Sequence, residues 1–204
     1  MEPVDEASFR EWLSEAGIKQ HPGWEFADHL CFPESEEHER FWFPSFVPSD
    51  LPGFIDTALT AISTDGPHDL LRCHGGEWFA NPEDTTWDDL MINDILHCYR
   101  VPEGASGALR FQESDGRALS AIVLAFYVHG WCVDNDLYIV AQERDAILET
   151  SHHGQLYGRF ATAERMEQFR NAMLARGYDL PIKPPDTQFK CPSWLTGPVH
   201  HGPA

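Results

Sequence analysis

Two periodicities alternate along the chain, and the most regular pattern occupies residues 119–180. There, apolar and β-branched runs read as antiparallel strands that lead into one amphipathic helix. Upstream, Asp5 is placed to cap a helix over 6–16, with Phe9, Trp12, Leu13 and Ala16 on one face and Gly17 as its stop. Residues 21–48 are aromatic and acidic. GWEF, HLCF and RFWFPSF read as short strands split by a charged run at 34–40, with Pro33, Pro44 and Pro48 confining them to edges. A second helix starts at Asp50 and carries Leu51, Phe54, Ile55, Ala58, Leu59 and Ile62 at helical spacing. Thr64-Asp65-Gly66-Pro67 ends it as a turn.

The middle of the chain predicts a short strand at 70–73 and a helix over 83–94. That helix has Trp87, Leu90, Met91 and Ile95 as its apolar residues and a strongly negative outer face. A strand follows at 96–101. Segments 108–113 and 117–127 flank Ser114-Asp115-Gly116, the chemistry of a hairpin. Further strands are expected at 136–140, 146–151 and 156–160. Thr162 then caps a last helix with Met166, Phe169, Ala172 and Met173 on its apolar face and Gly177 as its stop. Residues 181–204 are proline-rich and read as an extended arm, with Phe189 and Trp194 as anchors. No repeat or linker divides the rest. The expectation is a single α+β domain over 1–180, a mostly antiparallel sheet of five to seven strands with three to four helices.

Composition narrows the function classes. Apolar residues make up 42%, with 13 Phe and 7 Trp, enough for a packed core and unlike a disordered chain. The apolar run at 118–128 is about half of what a membrane helix needs. The opening residues lack the apolar stretch of a secretory signal, so a soluble cytoplasmic protein is expected. Five cysteines without a CxxC suit a reducing compartment and read as small buried hydrophobes. The balance of 33 acids against 14 bases gives −19, which opposes nucleic-acid contact and favours a basic protein partner.

Histidine and cysteine fall in pairs: Cys73-His74, His97-Cys98, His129 with Cys132, and His152-His153. Their spacing matches no structural zinc site, and neighbours on a strand point to opposite faces, so no metal or other cofactor is assigned. His152-His153-Gly154 at a tight turn, with Glu149 or Asp134 to orient a ring, is the best place for acid–base chemistry, but no nucleophile, Walker or dinucleotide motif accompanies it. Asp134-Asn135-Asp136 lacks the glycine and closing glutamate of a calcium loop and reads as a turn. No catalytic residue is named. Two clusters instead join acids to aromatics, as protein interfaces do: Glu34, Glu36, Glu37 and Glu39 beside Trp42, and Glu83, Asp84, Asp88 and Asp89 around Trp87.

The carboxy half, where Asp136-Leu-Tyr-Ile-Val and Ala146-Ile-Leu-Glu-Thr lead through a further strand into a helix over 164–176, resembles the SMI1/KNR4-like (SUKH) superfamily of bacterial toxin-immunity proteins. The amino half departs from that pattern, and no functional residue carries over. The resemblance implies a non-enzymatic protein that neutralises a basic, nuclease-like toxin by binding it, without nucleic acid or membrane. The alternatives are a metal- or histidine-dependent enzyme using His74, His97, His129, His152 or His153, and an adaptor or chaperone for a secreted effector.

Overall fold

The structure, a computed structural model, describes residues 1–22, 28–32, 38–42, 50–62, 69–72, 77–80, 85–130, 136–151 and 155–179. The GWEF segment, the Thr64–Pro67 turn, Asp134-Asn135, the His152-His153 turn and the 181–204 arm lie outside them. In chain order the elements are β1 (Glu2–Val4), α1 (Glu6–Glu15), β2 (Lys19–Pro22), β3 (Asp28–Cys31), β4 (His38–Trp42), α2 (Leu51–Ile62), β5 (Asp69–Arg72), α3 (Trp87–Cys98), β6 (Ala108–Arg110), α4 (Gly116–His129), β7 (Leu137–Val140), β8 (Ala146–Ser151), β9 (Gln155–Phe160) and α5 (Ala163–Ala175). The α+β class holds.

Strands pair in the order β1-β6-β5-β7-β8-β9-β4, each neighbour antiparallel, while β2 and β3 form a separate pair. The strand period of two then decides which residues meet which layer. Leu137, Ile139, Ala146 and Leu148 join the large core with α2, α3, α4 and α5. Tyr138, Val140 and Ile147 enter a second core with Phe9 and Leu13 of α1 and with Leu30 and Phe32. The central strands are therefore covered on both faces, and β7 is buried at every position. Glu149 on β8 and Arg159 on β9 form an ion pair with 4% and 13% of their side chains exposed.

Three helices end alike. The amide of Ile18 bonds the carbonyl of Leu13, that of Val101 bonds Leu96, and that of Tyr178 bonds Met173, with the preceding amide reaching one residue further along. Each is a left-handed stop with an apolar contact across it. Gly17 and Gly177 supply the positive φ of two of them, but Arg100 supplies the third at φ 60. This corrects the expected strand at 96–101: those residues are the end of α3 and its cap. Elsewhere Gly107 is required for space, because a Cβ there would stand 2.5 Å from the Val4 carbonyl oxygen.

The second correction concerns 117–127, which is not a strand but most of α4. Gln112 and Asp115 cap a short 3-10 turn at Glu113–Asp115 that runs straight into the helix, so Ser114-Asp115-Gly116 turns no hairpin. No residue from 118 to 130 is exposed, since α4 lies between the sheet and the helices α2 and α3. The helices expected at both ends form as read. Ser8 donates its hydroxyl and its amide to Asp5, which holds that carboxyl below its ordinary value. Thr162 accepts from the Arg165 amide, and Arg165 in turn donates to Asp145 and to the last carbonyls of α2, joining α2, α5 and the β7–β8 turn. Among the described residues no helix is long and apolar enough to cross a membrane.

Candidate functional site

The acid–aromatic residues that the structure describes most fully lie on α3. Its start is a reciprocal cap: the Thr86 hydroxyl accepts from the Asp89 amide at 3.2 Å, and the Asp89 carboxylate accepts from the Thr86 amide at 2.9 Å and hydroxyl at 2.8 Å. Two otherwise orphaned N–H groups are satisfied this way. Asp89 is only 7% exposed, and with Ile92 and Leu96 it makes the inward face of the helix. It therefore does not belong to the expected outer acidic face, because its charge is committed to the cap. The pattern Thr-x-x-Asp at 86–89 carries that signal in the sequence.

With the inward face at 89, 92 and 96, Trp87 and Leu90 turn outward, 71% and 47% exposed. This corrects their expected place on the apolar face. Asp94, one turn beyond Leu90, is exposed as well. Asp88 sits at the side of the helix, where its carboxylate meets Nδ1 of His129 at 2.7 Å, each side chain 21% exposed. That contact ties the start of α3 to the end of α4. The segment 77–80 holds the other side. Its Trp78 indole donates to the Gly107 carbonyl at 3.0 Å and meets Phe126 of α4 edge-on. The Ala80 amide donates to Asn93, and Phe79 lies against the His97 ring. Helix α3 is thus fixed on three sides and open on the side of Trp87, Leu90 and Asp94.

The remaining candidates fall elsewhere. Glu34, Glu36, Glu37, Glu83 and Asp84 lie outside the described residues, so the structure does not place them beside Trp87 or one another. Glu39 and Trp42 occupy β4, where Glu39 takes the register position opposite Arg159 and Trp42 the one opposite Leu156. Glu149, considered as a partner for a histidine, is bound to Arg159 instead. His97 and His129 are engaged by a ring and a carboxylate, and His74, His152 and His153 lie outside the described residues. Among the described residues no group of three or more His, Cys, Asp or Glu could hold a metal ion. Cys98 is exposed and Cys31 half-buried, so neither is the buried hydrophobe expected of the thiols.

No family model, curated protein or solved structure matches the chain. A groove of about 420 Å³ runs between α2 and α5 past Thr57, Thr60, Ala172 and Arg176, but its inner cation, Arg165, is already spent on Asp145 and the α2 carbonyls. Helix α3 differs in that its outward side chains are large, apolar and unspent. It also carries three acids and neither Lys nor Arg.

Proposed function

We propose that the protein is a non-enzymatic acidic binding protein, an immunity protein of the SMI1/KNR4-like kind that captures a basic, nuclease-like toxin in the cytoplasm. The observation that carries this reading is Trp87, an indole 71% exposed on an acidic helix of a chain with net charge −19. Exposed aromatics within a charged rim serve as anchors in protein interfaces, and tryptophan is foremost among them. Charge of one sign steers an oppositely charged partner to the surface and covers its cationic site once bound. Inhibition needs no chemistry from the inhibitor. An acidic surface laid over a nucleic-acid-binding cleft excludes phosphate by both charge and volume.

Affinity capture from the native host, washed at low and then high salt, is the direct test, with one basic protein retained at near-equal stoichiometry as the expected result. Once the partner is in hand, its association rate should fall at least tenfold between low salt and about 0.5 M NaCl, where the screening length is only a few ångströms. A rate indifferent to salt would overturn the electrostatic reading.

A further inference from the structure

We propose that the α3 face of Trp87, Leu90 and Asp94 docks an arginine-bearing segment of a basic protein, with a guanidinium stacked on the Trp87 indole. The proposal rests on the reading above and adds where the partner binds and which of its side chains is recognised. Trp87 and Leu90 are three residues apart and Asp94 four beyond, so the three lie in one stripe along the helix. Among the described residues the large exposed hydrophobics are Trp87, Leu90 and Leu174, and only the first two adjoin each other. The start of α3 is not an anion site, because Asp88 and Asp89 offset its positive end.

Arginine is favoured over lysine on chemical grounds. Its planar, weakly hydrated guanidinium stacks on an indole while its N–H fork reaches a carboxylate; an ammonium does neither as well. The chain makes this arrangement once internally. On α1, Trp12 and Glu15 are three residues apart on one helix. The Arg144 guanidinium lies 5.3 Å from the Trp12 ring centroid and donates to Glu15 at 3.0 Å. Helix α3 likewise presents a tryptophan and a carboxylate along one stripe, but two turns apart, so one guanidinium stacks on Trp87 while a second cation of the same segment meets Asp94; among the described residues no cation lies over Trp87. The missing component is a guanidinium, and the net charge of −19 selects for molecules that carry it.

The test uses the full chain and two synthetic peptides of equal length and charge, one alternating Arg with Leu and one Lys with Leu, titrated by calorimetry. Wild type should bind the arginine peptide about fivefold more tightly than the lysine peptide. Trp87→Ala should abolish that preference, Asp94→Asn should weaken the arginine peptide, and Leu174→Ala on α5 should change nothing. Because Trp87 is exposed, its variant keeps the wild-type circular dichroism spectrum, so a lost preference reports recognition and not unfolding. Equal binding of the two peptides by wild type, or a preference that survives Trp87→Ala, overturns the proposal. So does a Trp87-dependent change in the sedimentation of the protein alone, which would assign the face to a second copy. Host capture separates the two levels. The same basic protein retained by wild type and Trp87→Ala removes the α3 site and leaves the binding reading intact. A wild-type protein that retains nothing removes both.

Discussion

Of the acids read as one negative face, Asp89 should behave unlike the rest, and Asp89→Ala tests the inward phase of α3 on which the whole site depends. Its carboxylate accepts two hydrogen bonds from Thr86, at 2.9 and 2.8 Å, while 7% exposed. A hydrogen bond to a charged group contributes about 1.5–3 kcal/mol, and loss of a helix cap costs about 1 kcal/mol. Relief from burying a carboxylate offsets part of this, so the net loss should be about 2 kcal/mol. For a domain of this size that lowers Tm by about 4–8 °C. Thr86→Ala should cost about 1 kcal/mol, and the double variant less than the sum, because the two residues serve one reciprocal cap. The assay is urea denaturation followed by circular dichroism, with exposed Asp94→Asn as the control that stays within about 0.5 kcal/mol of wild type. If Asp89→Ala matches Asp94→Asn, Asp89 faces solvent, α3 is rotated about its axis, and Trp87 is not outward.

Two further outcomes test the frame around the site. Removing Glu149 alone, as Glu149→Leu, leaves the Arg159 charge buried and should destabilise by about 3–5 kcal/mol, whereas Glu149→Leu with Arg159→Leu should recover most of that in thermal melts; a double variant as unstable as the single would mean that the cost does not come from a stranded Arg159 charge. Arg100→Gly should raise stability by about 0.5–1 kcal/mol by easing the left-handed residue that ends α3, and a loss in denaturant midpoint would show that the Arg100 side chain contributes more than its backbone costs.

The sequence made the outer parts of the fold legible because their signals are local. Asp5 and Thr162 cap their helices, Gly17 and Gly177 stop them, and the strands at 146–151 and 156–160 fall where alternation places them. The two misread segments lack such local marks. Helix α4 has no exposed residue beyond Arg117, so it shows no polar stripe, and its β-branched and aromatic content imitates a strand. Its length alone argued otherwise, since eleven apolar-rich residues exceed an ordinary strand. The end of α3 is hidden in the sequence because its stop is Arg100 rather than glycine, and an arginine in the left-handed region leaves no trace in a sequence pattern.

The candidate site was harder to read for a related reason. Apolar residues at 87, 90, 91, 92, 95 and 96 surround most of α3, so periodicity alone permits more than one inward face. What breaks the tie is polar: Asp89 must reach back to Thr86, and that commitment turns 92 and 96 toward the core and 87 and 90 away from it. The consequence is energetic. An indole covers about 150–250 Å², and at about 25 cal/mol/Å² the exposed part of Trp87 represents roughly 3 kcal/mol of burial that the folded chain leaves unused. A first-turn position on a helix gives no reason for tryptophan, since serine, glutamate or proline would serve the backbone there at least as well. Association is the process that can recover that free energy, and the net charge of −19 decides the sign of the partner that does so.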